Sequence, residues 1–321
     1  MTLIITPRPG LASNHRTITI TIANTKGGTA KTTTALNLAT ELSKLGYSVL
    51  LIDFDPQGSL SKAMLGEHEL SNYRGIEELL VTGAIHRASD SSMVSIAEYI
   101  TPTKIAHVAI IPCHAELGEV AVKLLMNAAF FALKDVIRNI TNDISLNQQL
   151  ATSNSKLLSH NPEPEFIIID TQPAKNILML NAFAASDYVL IPTNPSVYPL
   201  MDIVELEATI KATMANSNPN LAILGVLITM VQRATVYKQL EHDLREYFGD
   251  KVFATTISRA AKSEESAVEG VGVSALDPKC KLSQEYRTLA LEILERLELA
   301  PHYAAKTCCV KNGGEAVDEH E

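Results

Sequence analysis

Residues 17–33 read Thr17-Ile-Thr-Ile-Thr-Ile-Ala23, then Asn-Thr, then Lys26-Gly-Gly-Thr-Ala-Lys-Thr-Thr33. The first seven are β-branched and alternate, which predicts a strand. The last eight carry a glycine pair and two lysines. Glycines let a backbone turn its N–H groups toward an anion, and a following helix N-terminus adds a field that favours phosphate. In such a loop Lys31 can bridge the β- and γ-phosphates of a nucleotide, and the Thr32 hydroxyl can ligate Mg²⁺. A helix is predicted over 31–45, with Ala35, Leu38, Ala39, Leu42 and Leu45 on one face and Gly46 as its stop. Residues 48–52 then form an apolar run that ends at Asp53. Strand, loop, helix and strand make a βαβ unit, so the fold class is α/β with a mostly parallel twisted sheet and helices on both faces. A glycine turn among surface lysines is the plainer reading of 26–33, but it does not account for the strand before and the amphipathic helix after.

Two further carboxylate sites follow apolar strands. Asp53-Phe-Asp55-Pro-Gln-Gly58 lies just beyond the second strand, where side chains face the nucleotide crevice of a parallel sheet. If the strand continues, the spacing of two puts Asp53 and Asp55 on the same side. One can then support a metal and the other hold an attacking water. Phe166-Ile-Ile-Ile-Asp170 is an apolar strand ending in Asp, the form of a Walker B that holds Mg²⁺, usually through water.

The loop departs from the ordinary pattern G-x-x-x-x-G-K-[ST], because Thr25 and Ala30 stand where glycines belong. Where a backbone needs a positive φ, alanine costs on the order of 1 kcal/mol. The string K-G-G-T-A-K-T resembles instead the deviant Walker A, K-G-G-x-G-K-[ST], of the ParA/MinD family of P-loop ATPases. The D-x-D-P-Q-G string at 53–58 and the stretches around 110–117, 170–173 and 181–192 resemble the same family in order, so the likeness runs from about 17 to 297. It implies that residues 26–33 (Lys26, Gly27, Gly28, Thr29, Ala30, Lys31, Thr32, Thr33) hold ATP, and that Thr32, Asp53 and Asp170 serve Mg²⁺. It implies that Asp55 is needed for hydrolysis, with Lys26 and Lys31 as the catalytic cations. In this family Lys26 reaches across an ATP-dependent sandwich homodimer to the partner's nucleotide.

The rest of the chain chooses among branches. With 321 residues, 46% of them hydrophobic, the chain can bury a full core. The four cysteines show no paired or metal-binding spacing, which fits a reducing cytoplasm and excludes the cluster-bearing iron protein of nitrogenase. No apolar run reaches membrane length, and the acidic 301–321 tail lacks the basic amphipathic helix of MinD-like proteins. A formal net charge of −9 means that any DNA contact needs a local basic patch. ParA-like proteins bind DNA non-specifically through their C-terminal third. Here Arg233, in Thr229-Met-Val-Gln-Arg233, and Arg259 and Lys262, in Ile257-Ser-Arg-Ala-Ala-Lys262, resemble the contacting stretches. Arg259 and Lys262 are three apart and are predicted to share a helical turn. The resemblance thus implies a partition ATPase, cytoplasmic and nucleoid-associated, with non-specific DNA and a ParB-like adaptor as partners and no membrane. The alternatives are the same switch positioning another cargo, or a metabolic P-loop ligase related to dethiobiotin synthetase.

Further strands are predicted at 106–111, 166–169, 188–191 and 222–228, and helices at 74–82, 116–138, 199–215, 235–247 and 282–298. Residues 1–16 read as a flexible tail and 17–300 as one domain. Within it, 139–165, rich in Asn and Ser, reads as an irregular or partly helical insertion.

Overall fold

The computed structural model describes residues 17–85, 96–149, 164–194, 199–232 and 235–302. Strand β1 (Ile18–Ile22) leads through the glycine loop into helix α1 (Lys31–Lys44), and then to β2 (Val49–Phe54). After β2 come α2 (Ser59–Leu65), α3 (Ile76–Ile85), β3 (Thr101–Pro102), β4 (Val108–Ile111), α4 (Leu117–Met126) and α5 (Ala132–Gln149). The second half runs β5 (Phe166–Thr171), α6 (Ile177–Ala185), β6 (Tyr188–Thr193), α7 (Pro199–Asn216), β7 (Ala222–Val231) and α8 (Thr235–Phe248). It closes with β8 (Val252–Ser258), α9 (Lys262–Glu269), α10 (Val273–Leu276) and α11 (Lys281–Arg296).

These strands form one sheet in the order β3-β4-β2-β5-β1-β6-β7-β8, parallel except for the short β3. The strands alternate between two apolar layers. Ile18, Ile20 and Ile22 of β1, with Val49 and Leu51 of β2, pack under α1 and α11. Leu50, Ile52 and Phe54 face α3 to α6 on the other side. A third cluster joins β6 and β7 to α6, α7 and α8. The threonines that alternate with isoleucine in β1 are buried too. Thr21 satisfies its hydroxyl on Ser186 Oγ at 2.6 Å and on Ala182 O.

The crossover from β1 to β2 leaves one strand position between them, and β5 fills it. The register aligns Ile22 with Asp170 and Asp170 with Asp53, so the carboxylates at the ends of β2 and β5 lie side by side next to the glycine loop.

Several expectations need correction. The helix expected over 116–138 is two helices, broken at 127–131, where Ala128 takes φ 49°. Asn181 of α6 holds the break, accepting from Leu133 N and donating to Ala129 O. Helix α5 then continues to Gln149, so the first part of the 139–165 segment is helical, one of the two readings given for it; residues 150–163 lie outside the described residues. The strand does not continue to Asp55, because β2 ends at Phe54 and the chain turns. Strands β3 and β8 and helices α2, α6, α9 and α10 are additional to the elements read from the sequence. The expected tail at 1–16, and all but the first two residues of the expected tail at 301–321, lie outside the described residues.

Candidate functional site

The glycine loop is shaped by two backbone positions with positive φ, Gly28 at 69° and Ala30 at 63°. Ala30 is the N-cap of α1 in the left-handed conformation, and its carbonyl accepts the first helical bond, from Thr34 N at 2.8 Å. The amides just before that bond have no partner within the helix, as at any helix start. A Cβ added at Gly27 or Gly28 would meet nothing within 4 Å, so the space above the loop is open. Neighbouring strand ends pin the loop from below. Thr229 of β7 donates to Thr29 O at 3.1 Å, Asn194 donates to Gly28 O at 3.0 Å, and Asn24 accepts from Lys26 N at 2.9 Å.

The two lysines lie in different settings. Lys31 is buried, and its Nζ donates to Lys26 O at 3.1 Å. Burial lowers its pKa, opposed by the negative charges of Asp170 and Asp55. Lys26 stands on the rim with a side chain 34% exposed, its Nζ 3.9 Å from Asp202 of α7.

Asp170 is fully buried, and burial raises its pKa well above the usual carboxylate range, with the neighbouring Asp53 adding to the rise. The Thr32 hydroxyl approaches closely enough to pull that pKa back, yet neither carboxylate oxygen makes a hydrogen bond of ordinary geometry. A buried, unpartnered carboxylate is costly unless a cation or donor completes it. Asp53, equally buried, is already satisfied. Its Oδ2 accepts from Ser61 N at 2.8 Å and Ser61 Oγ at 2.7 Å, and its Oδ1 from Asp55 N. Burial still lifts it to about 6 against those bonds. Asp55 is half-buried in the turn, accepting from Gln57 N at 2.9 Å. Its carbonyl receives Cys113 Sγ at the end of β4, and Cys113 N donates to Ser61 Oγ. Ser61, Cys113, Asn24, Thr229 and Asp202 carry no signal of their own in the sequence, because each acts through a strand or helix that only the fold brings near. Among the described residues no group of three His, Cys, Asp or Glu could hold a metal alone, so an ion here would draw on hydroxyl, nucleotide oxygen and water.

Arg259 and Lys262 do not form one helical face. Arg259 lies at the exit of β8, where its N–H extends the sheet onto Val231 O, whereas Lys262 begins α9. They therefore do not share a helical turn. Lys262 pairs with Glu265 at 2.9 Å, while Arg259 is exposed. Arg233 lies outside the described residues. No described helix is long and apolar enough to cross a membrane.

Comparison with known proteins agrees with this geometry. The family described as an AAA domain matches residues 17–223. The chromosome partitioning protein ParA of Caulobacter vibrioides is 32% identical over 279 residues, 86% of this chain and 94% of that protein. The chromosome-partitioning ATPase Soj of Thermus thermophilus is 31% identical over 282 residues, 88% of this chain and 97% of its own. Among solved structures, cobyrinic acid a,c-diamide synthase from Mycobacterium smegmatis with a bound ATP analog and magnesium superposes with a TM-score of 0.69. It is 25% identical, covering 87% of this chain and 95% of that one.

Proposed function

Because this chain belongs to the ParA/Soj family of partition ATPases, within the AAA domain family, we propose that it is an ATP-driven dimerisation switch that binds DNA without sequence preference. The observation that carries this reading is the separation of the two lysines. Lys31 is committed beneath the loop to the nucleotide of its own chain. Lys26, on the rim, is placed to leave Asp202 and meet a nucleotide presented by a second copy. A cation delivered in that way stabilises charge that develops during phosphoryl transfer.

Residues 26–33 hold the phosphates of ATP through loop amides, the start of α1 and Lys31. Thr32 and Asp170 would hold Mg²⁺, and the buried Asp170 oxygens, which have no hydrogen-bond partner, fit that role. When bound, Mg²⁺ would supply positive charge to offset that of the phosphates. Asp53 keeps the turn in place through Ser61 and the Asp55 amide, and Asp55, freer and nearer solvent, orients the attacking water. Arg233, Arg259 and Lys262 contribute phosphate contacts to DNA, and a ParB-like adaptor stimulates turnover. The likeness to a synthase favours a ligase less, since identity to partition ATPases is higher over the same part of the chain.

The test is a titration of random-sequence DNA with ATP, with ADP and without nucleotide, on wild type and Asp55→Ala. The reading expects salt-sensitive binding in ATP alone, with Asp55→Ala binding ATP and DNA but releasing no phosphate. DNA binding that ignores nucleotide, or none in ATP, refutes the DNA switch.

A further inference from the structure

Five of the large apolar side chains exposed among the described residues fall in one run of ten. Val122, Leu125 and Met126 are 58%, 61% and 81% exposed, and Phe130 and Phe131 are 36% and 44% exposed. The first three are spaced i, i+3, i+4 on the outer face of α4, while Leu117, Val120, Ala121 and Leu124 fill the core from its inner face. The two phenylalanines line a depression of about 430 Å³ at the α4–α5 break. A monomer in water seldom leaves such a patch uncovered without a binding role.

The patch lies on the edge of the sheet where nucleotide is held. Helix α4 follows the carboxyl end of β4, and its Gly118 packs against Pro56 of the Asp55 turn. The break itself is tied to the second turn of α6, which begins just past the carboxyl end of β5. On the other side of the phosphate loop, over β6 and β7, Met201 of α7 is 71% exposed and adjoins Asp202, the partner of Lys26. Exposed apolar side chains thus occur on elements that follow strands to either side of β1 in the sheet.

We infer that the α4–α5 corner, with Met201 opposite, forms the apolar part of the contact with a second copy of this chain. The inference rests on the dimer reading above. A stable interface needs roughly 800 Å² from each partner, with an apolar centre. The loop rim, with Lys26, Gly27 and Gly28, does not supply that centre; these residues on either side do. The surroundings also suit a two-fold contact, which must be self-complementary. Lys134 and Arg138 stand beside Asp135 at the depression, and Lys123 stands one turn from Glu119 on α4.

Sedimentation velocity of the full chain with Mg²⁺ and a non-hydrolysable ATP analogue tests this on wild type, Leu125→Glu/Met126→Glu, Met201→Glu and Val268→Glu. Val268, on α9, is exposed away from the patch and serves as the control. The dissociation constant of the dimer should rise at least a hundredfold in the double variant and tenfold in Met201→Glu. Val268→Glu should match wild type, and labelled-ATP affinity of the dilute monomers should stay within twofold throughout. Met201→Glu, on a separate element, decides the matter if the double variant melts early. If wild type dimerises and the folded patch variants do so equally well, this inference fails and the dimer reading stands. If wild type stays monomeric, both fail.

Discussion

Ala30 occupies a backbone conformation that an L-residue adopts only under strain, with φ 63° and ψ 33° at the N-cap of α1. Replacing it with glycine removes that strain, worth about 1–2 kcal/mol. The same change frees the unfolded chain and costs about 0.4–1 kcal/mol. The difference leaves Ala30→Gly more stable than wild type by about 0.5–1 kcal/mol, a rise in melting temperature of about 1–4 °C in a chain this size. Urea denaturation without nucleotide, followed by circular dichroism, measures it. The sign carries the argument: at a position with negative φ the same change would destabilise the protein by about 0.4–1 kcal/mol.

Ala128 is a matched control, because it takes φ 49° in the α4–α5 break, away from the phosphate loop. Ala128→Gly should stabilise by a similar amount and leave ATP affinity unchanged. Ala30→Gly should leave ATP affinity unchanged if the loop is already shaped for phosphate in the free protein, and tighten it if nucleotide must complete the shape. Loss of stability in Ala30→Gly alone would show that the left-handed N-cap is not the free conformation of the loop.

Lys31→Ala, which removes the buried cation facing Asp170, should abolish equilibrium binding of labelled ATP; unchanged affinity in a folded variant refutes the assignment. Glu292 of α11 accepts Ala254 N, Thr255 N and Thr255 Oγ1 of the edge strand β8, and Glu292→Ala should cost about 2 kcal/mol in urea denaturation. Burial pushes the Glu292 pKa up, but those donors and Arg296 outweigh it and hold the pKa low, so its contribution exists above the unfolded carboxylate range and is lost as pH falls through the folded value. Wild type and Glu292→Ala should therefore converge in stability toward about pH 3, and a constant gap would contradict the linkage. His114 runs the other way: burial lowers its pKa, but the Glu77 carboxylate 2.6 Å from Nδ1 outweighs this and raises it. Its contribution is present below the unfolded histidine value and lost as pH rises through the folded one, so the stability gap to His114→Gln should narrow between about pH 6 and 8. Arg259→Glu should reduce ATP-dependent binding to random DNA and the log–log salt slope by roughly 2 per dimer at least. Lys262→Glu should do less, since Lys262 is already paired with Glu265.

The sheet is legible where local pattern and burial agree. Strands β1, β2 and β5 are buried runs of β-branched or aliphatic residues, β2 and β5 carrying Asp53 and Asp170 near their carboxyl ends, and the stop at Gly46 matches its positive φ of 96°. Helix α6 escapes the pattern because Ile177–Ala185 is apolar on every face save for Asn181 and so shows no amphipathic period. The break between α4 and α5 escapes it because Asn127-Ala-Ala-Phe-Phe131 contains no glycine or proline. The interruption is imposed from outside by Asn181, about fifty residues on. Strand β8 alternates only weakly, because Ala254 and Thr256 face an edge that α11 covers with carboxylates rather than with apolar side chains.

The site divides in the same way. The positions proposed for the nucleotide loop are contiguous in the chain, so Lys26, Lys31 and Thr32 can be read directly. The two buried aspartates can be named but not distinguished, since each is a carboxylate at the end of an apolar strand. What separates them is Ser61, eight residues past Asp53. It satisfies Asp53 twice, while Asp170 has only the approach of Thr32. That asymmetry gives the two carboxylates different work. Asp53 holds the turn that carries Asp55 and would tolerate Asn only if the new amide could face away from the Asp55 N–H. Asp170 has no such donors: burial disfavours its charge, and only the Lys31 cation and the Thr32 hydroxyl work against that.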